Sequence, residues 1–154
     1  MEQQKEPGIT IALIQLVSAR VELKDPDGAR EYNLVLTGLN RNEFEAGKYL
    51  DVQASFDMMY GLEKPLFNFT CSFFARYERH GEHSMSWEKF SSVMALTHLI
   101  PYLREFVSNI TNRLPVPVLI LPPTNVHMLL ANFEEHKRSS QQAIPQKVSP
   151  APSS

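Results

Sequence analysis

The stretch LFNFTCSFFARYE, residues 66–78, decides the fold class of this chain. Every second residue in it is apolar, and these residues are Phe67, Phe69, Cys71, Phe73, Ala75 and Tyr77. Polar side chains occupy most positions between them. Alternation of this kind is typical of a β-strand with one buried face, so we predict a strand here and assign Cys71 to the core.

Three further strands are predicted on the N-terminal side of this stretch, over residues 9–23, 31–39 and 48–60. The odd positions of the first are apolar except for Gln15, which predicts a single apolar face. The sequence DPDG at 25–28 predicts a turn, and NRNEFEAG at 40–47 predicts a polar loop. Four successive strands with short links favour an antiparallel meander over a βαβ arrangement.

The second half of the chain has helical spacing. Ser86 is a plausible N-cap for a helix that runs to about Asn112, with Pro101 expected to kink or restart it. Thr124 or Asn125 can cap a second helix. The predicted fold class is therefore α+β, a four-stranded antiparallel sheet (meander) followed by two helices. We predict a flexible N-terminus (1–8), one folded domain (9–136) and a disordered tail (137–154).

The connector LPVPVLILPP, residues 114–123, is apolar yet contains four prolines. Proline lacks a backbone donor, so the connector can be neither a helix nor a central strand. Two interpretations remain open. The connector either covers the core, or it forms a wall of a groove that takes an extended apolar peptide.

Composition limits the function classes. The formal net charge is -2 and the pI is about 6.2, which argues against nucleic acid or an anionic membrane as the main partner. No segment has the form of a signal peptide or a membrane span. The single cysteine fits a reducing compartment, so we expect a cytoplasmic protein without membrane insertion.

Residues suited to catalysis are sparse. No Gly-rich phosphate loop or nucleophile elbow occurs, and Asp51 and Asp57 lie about 20 Å apart on one strand. His80, Glu82 and His83 could ligate a metal, but the segment has the polar character of a solvated loop and no further Cys or acidic cluster completes a site, so we favour a solvated turn. We therefore expect no enzyme activity, no cofactor and no metal, and keep a metal-dependent enzyme as an alternative.

The stretch LIPYLREFVSNITNRLPVPVLILPPTNVHMLL, residues 99–130, resembles the SecB family of bacterial protein-export chaperones. The matching features are Pro101-Tyr102-x-Arg104-Glu105 and Leu121-x-Pro123-x-Asn125. The resemblance extends over about 9–136 and implies the same α+β fold. It also implies a homotetramer, a dimer of dimers. Its implied function is that of an ATP-independent holdase, which binds unfolded polypeptides or preproteins in hydrophobic grooves for export.

The resemblance also implies site residues. The peptide-groove candidates are Ile11, Val17, Tyr102, Val118, Ile120 and Leu130. The family docks the export motor ATPase through acidic side chains on the sheet, whereas this chain has Arg20, Lys24 and Ser72 at the matching positions. This difference suggests an alternative function, a dedicated SecB-like chaperone of an antitoxin or another single client, not linked to the export motor.

Overall fold

The structure, a computed structural model, describes residues 8–25, 31–60, 66–81 and 85–142. It confirms the α+β class, with a four-stranded antiparallel sheet and two helices. The elements are β1 (Gly8–Leu23), β2 (Tyr32–Phe44), β3 (Tyr49–Tyr60), β4 (Phe67–His80), α1 (Ser92–Thr111) and α2 (Val126–Gln142).

The strand order corrects the predicted meander. The order is β1-β4-β3-β2, so β2, β3 and β4 form a meander while β1 pairs with β4 at the far edge. Residues 24–31 link β1 to β2. Eight residues reach about 27 Å when extended, and three interstrand steps need only about 14 Å. Eight residues are therefore long enough to join β1 to β2 across the end of the sheet, as the Greek-key order β1-β4-β3-β2 requires.

The odd-numbered residues of β1 do not all lie on one face, contrary to the predicted alternation. Its register with β4 shifts between Ile11 and Leu13 and again between Leu16 and Ser18. Each shift is a β-bulge, and an extra residue reverses the faces of the residues that follow. Leu13 thus lies on the same face as Arg76 of β4, and Leu16 on the same face as Phe73.

β2 is longer than predicted and includes most of the expected polar loop. Phe44 pairs with Tyr49, and the turn between them has positive φ at Glu45, Ala46 and Gly47. Glycine adopts this conformation readily, which suits Gly47 at the end of the turn. The predicted turn at 25–28 lies outside the described residues except for Asp25.

α1 begins at Ser92, after the predicted N-cap Ser86. The cap is Ser91, whose side chain accepts a hydrogen bond from the Met94 N–H. Residues 86–90 form a turn that buries Trp87 and Phe90. The helix continues through Pro101 without restarting.

The core lies between α1 and one face of the sheet, here called the inner face. This face carries the alternating residues of β4 and the buried residues of β3. Phe106 of α1 makes edge contacts with Phe69 and Phe73 at centroid distances of 6.0 and 6.2 Å. Toward the other end of β4, the Tyr77 hydroxyl lies 3.4 Å from the Ala95 carbonyl oxygen of α1. α1 therefore runs antiparallel to β4.

α2 lies along β2 and also contacts α1. Its cap confirms Asn125, whose Oδ1 accepts a hydrogen bond of 3.1 Å from the Met128 N–H. The helix continues to Gln142, past the predicted domain boundary at 136. Residues 137–142 are thus helical, and the rest of the predicted tail lies outside the described residues.

Candidate functional site

The proline-rich connector is attached to α1 on one side and exposed on the other. Leu119 and Leu121 are buried in the core, with Leu121 only 1% exposed. The Leu119 N–H donates to Thr111 Oγ1 over 2.9 Å, and Arg104 Nε donates to the Leu121 carbonyl over 3.0 Å. The connector therefore runs back along α1 in an extended form.

The alternate residues of the connector face solvent. Val118 is 48% exposed and Ile120 is 74% exposed. Because a strand-like segment turns successive side chains to opposite sides, fixing Leu119 and Leu121 inside holds Val118 and Ile120 outside. The connector thus covers the core, as the first interpretation expects, and also presents exposed apolar side chains; its role as the wall of a peptide groove stays a prediction.

A groove of about 250 Å³ lies between β1 and α1, here called the β1–α1 groove. Apolar side chains from both elements line it, and these are Ile14, Leu16, Phe73, Tyr102 and Phe106. Gln15, Glu105 and Asn109 supply polar groups at its sides. Tyr102 remains 45% exposed, so its ring is available to a ligand in this groove.

The predicted groove residues are not all brought together. Tyr102 lines the β1–α1 groove, and Ile11 and Val17 are exposed on β1 without lining any of the described grooves. Val17 lies at the second bulge of β1. Leu130 is partly buried against the core. The bulges brought Ile14 and Leu16 to the groove instead, and sequence alternation gave no signal for that.

A second depression, the β2–α2 trough, lies between the edge strand β2 and α2. Its first part encloses about 310 Å³ and includes Tyr32, Leu34, Pro123 and Met128. Its second part encloses about 340 Å³ and includes Val35, Phe133 and Lys137. The two parts share Asn132 and follow one another along β2, the first beside residues 32–34 and the second beside residues 35–37.

Sequence reasoning missed the β2–α2 trough. The alternation of Tyr32, Leu34 and Leu36 gave a strand face, and the helical spacing of α2 gave an apolar stripe. A usable signal was Met128, an apolar residue outside that stripe, which is 60% exposed. Flexible methionine side chains are common on surfaces that adapt to different apolar ligands.

Comparison with solved structures shows a strong similarity to a SecB-like chaperone. A SecB-like chaperone of Mycobacterium tuberculosis, Rv1957, solved in complex with a ChAD peptide from the HigA1 antitoxin Rv1956, superposes with a TM-score of 0.64. The match covers 76% of this chain and 91% of that chain at 21% identity. This chain has a SecB-like fold.

Other similarities are weaker. A protein of unknown function from Streptococcus agalactiae has a TM-score of 0.44 at 12% identity, over 77% of this chain and all of that one. An uncharacterized protein of Methanocaldococcus jannaschii is 38% identical over 52 residues, which are 34% of each chain. The match therefore spans about a third of that relative's length. No protein-family model matches the chain.

The outer face of the SecB-like sheet carries the three residues predicted at motor-docking positions. Arg20 pairs in register with Thr70, and the Lys24 ammonium lies 2.8 Å from Glu22. The hydrogen bond from Lys24, together with its positive charge, lowers the pKa of the Glu22 carboxyl. Ser72 shares a hydrogen bond of 2.7 Å with Ser55. This face therefore has a cation at each of two positions where the family resemblance implies acidic groups.

The same face carries an ion pair between Arg76 and Asp51, and the Arg76 guanidinium packs against an aromatic ring. Arg76 donates two hydrogen bonds to Asp51, of 2.8 and 3.0 Å, and these bonds raise the pKa of the guanidinium. The guanidinium carbon also lies 4.7 Å from the Phe44 ring centroid. Arg76 is thus held in place by its neighbours.

Of the described groups that could take part in catalysis or metal binding, Cys71 is buried and His80 is hydrogen-bonded. Burial raises the pKa of the Cys71 thiol to about 12, with a smaller contribution from Asp57. His80 Nε2 shares a hydrogen bond of 2.7 Å with Thr10 Oγ1, while Glu82 and His83 lie outside the described residues. Within the described ranges no cluster of three His, Cys, Asp or Glu residues could hold a metal. Neither described helix is long and apolar enough to cross a membrane.

Proposed function

We propose that this protein is a SecB-like chaperone that binds an extended apolar segment of a client polypeptide, with an antitoxin as the favoured client class. The observation that carries the proposal is the pair of open apolar depressions, the β1–α1 groove and the β2–α2 trough, on a SecB-like fold. Support for the client class comes from the structural neighbour, which was solved with an antitoxin peptide.

The physical basis of binding is burial of apolar surface. A client segment of about ten residues covers several hundred Å², and at about 25 cal/mol per Å² this gives several kcal/mol before ordering costs. Micromolar affinity for one segment follows without nucleotide chemistry. A client with several such segments binds more tightly when more than one depression is occupied.

Ile11, Val17, Val118 and Ile120 extend the proposed surface beyond the two depressions, because each is exposed and apolar. Exposed apolar side chains of this size cost the free protein little stability, and they add buried apolar area when a client covers them. We also propose that the protein acts in the cytoplasm as a homotetramer, which multiplies the client sites in one particle.

Two observations favour a dedicated client over general export. The neighbour holds a peptide of a single antitoxin. The outer sheet face also bears Arg20 and Lys24, so the basic surface of an export motor that recognises acidic groups meets like charge here. Binding of preproteins for export stays as the second candidate, since the apolar depressions accept any extended apolar segment.

The test is a scan of overlapping 15-residue peptides from the products of genes adjacent to this one, with a denatured, reduced model client as a second arm. We expect one or two peptides to bind with micromolar affinity and Tyr102→Asp to weaken any that use the β1–α1 groove. Glu105→Gln, a neutral change in the same groove, is the matched control. Equal binding of all apolar peptides, with aggregation of the model client suppressed, would favour the general holdase. If no peptide binds and aggregation is unaffected, the protein is not a chaperone.

A further inference from the structure

Among its described lining residues, the β2–α2 trough has a positively charged side chain and no negatively charged one. Of the described residues that line its two parts, Lys137 is the one with a permanent charge. His136 and Tyr32 are the other titratable groups among the described lining residues, and β2 contributes no charged side chain to the lining. No carboxylate among the described residues lies within ion-pair distance of Lys137.

The neighbouring charges of α2 do not line the trough. Glu134, Glu135 and Arg138 are exposed and absent from its lining. They fall between the positions of the helix that face β2, which recur every three or four residues. The ammonium of Lys137 therefore meets a bound segment without competition from a described acidic side chain in the trough.

We propose that the β2–α2 trough selects client segments in which an acidic side chain lies about six residues from an apolar anchor, with the carboxylate at Lys137 and the anchor at Met128. This inference rests on the proposed chaperone function and adds a charge requirement to it. Met128 and Lys137 are nine residues apart, so they lie about 14 Å apart along α2 and at opposite edges of the helix surface that lines the trough. An extended client that contacts both spans about 20 Å, which takes about six residues.

Complementarity of this type gives specificity rather than most of the affinity. The apolar contacts with Tyr32, Leu34 and Met128 supply the larger share of binding, because they bury more surface. The ion pair at the rim is partly solvated, so it discriminates modestly between an acidic residue and its amide. A client with a basic residue at that position meets like charge and is disfavoured.

The test uses the full chain and blocked twelve-residue peptides, in which acetyl and amide ends remove the terminal charges. One peptide places Asp six residues after an apolar pair, a second reverses the order, and each has a matched peptide with Asn. We expect one order to lose about three- to tenfold in affinity when Asp becomes Asn. We expect that difference to vanish in Lys137→Gln, to persist in Arg138→Gln, and to shrink in 0.5 M NaCl.

Two outcomes overturn the inference. Binding that changes less than twofold between Asp and Asn in both orders would show that the trough does not read charge. An Asp preference that persists in Lys137→Gln would place the recognition elsewhere. If none of the four peptides binds, this inference fails while the chaperone proposal still depends on the scan of neighbouring gene products, and charge-independent binding also leaves that proposal intact.

Discussion

Leu119 donates its backbone N–H to the hydroxyl of Thr111 over 2.9 Å, and this bond joins the proline-rich connector to the last turn of α1. Thr111 is 0% exposed and is the one polar residue in the described core. Its hydroxyl also donates to the Val107 carbonyl over 2.8 Å. The Thr111 hydroxyl therefore accepts a hydrogen bond from a connector N–H, which the proline-rich sequence prevents from pairing in a helix or a sheet.

Thr111→Val keeps the shape of the side chain but removes the acceptor for Leu119. We expect a loss of about 1–3 kcal/mol in the free energy of unfolding, because a buried N–H is left unpaired. Urea denaturation followed by circular dichroism measures this. The control is Thr97→Val, since Thr97 is exposed and bonds only the Val93 carbonyl of its own helix. Equal effects of the two substitutions would contradict the role assigned to Thr111.

Arg104→Met removes the second attachment of the connector, the 3.0 Å bond from Nε to the Leu121 carbonyl. We expect a loss of about 1 kcal/mol for this single change. Because Thr111 and Arg104 hold one connector, their effects on stability should not add, with a coupling of about 0.5 kcal/mol or more. A double-mutant cycle measures it, and strict additivity would show that the two bonds act independently.

Arg41→Met should release the segment that precedes α1. Arg41 donates to the carbonyls of Trp87 and Phe90 over 2.7 Å each, so its loss leaves two partly buried acceptors unpaired. We expect a loss of about 1.5–3 kcal/mol. The chain has one tryptophan, so its fluorescence should shift to the red as Trp87 gains water. Arg113→Met, at an exposed position, serves as the control, and an unchanged spectrum in Arg41→Met would contradict the prediction.

Cys71 should be unreactive in the folded protein despite being a free thiol. Burial raises its pKa to about 12, so at pH 8 only about one thiol in ten thousand is a thiolate. We expect labelling by a disulfide reagent to require unfolding, with a rate that rises in urea. Because the reacting species is the thiolate of the unfolded chain, raising the pH should increase the rate about tenfold per unit only below about pH 8.5. Complete labelling within seconds in native buffer would contradict both the burial and the pKa.

Much of the fold follows from the sequence because the governing forces are local. The alternation in β4 and the helical spacing of α1 and α2 report which side of each element is buried, and the structure confirms all three. Strand order is different, since β1 pairs with β4 through contacts remote in sequence. The bulges of β1 depend on fitting that partner, and the apolar run from Leu13 to Val17 tolerates either face.

The candidate surface was less predictable for the same reason. Tyr102, Val118 and Ile120 were identified by resemblance, and all three are exposed. The β2–α2 trough instead requires knowing that β2 is an edge strand beside α2, which no local pattern states. Leu130 was predicted to line the groove but packs against the core. Its helical spacing fits either position equally, so the sequence could not decide between them.

Ile120 and Leu121 are neighbours with opposite expected roles, and they separate client binding from stability. Ile120 is 74% exposed, so Ile120→Ser should change the free energy of unfolding by less than about 0.5 kcal/mol. If the exposed ridge contacts clients, the same change should weaken peptide binding severalfold, because it removes apolar area. Leu121→Ser should instead cost about 3–5 kcal/mol or prevent folding, since it places a hydroxyl in the core. Unchanged peptide affinity in a stable Ile120→Ser variant would remove the connector from the proposed client surface and leave it as a cover for the core.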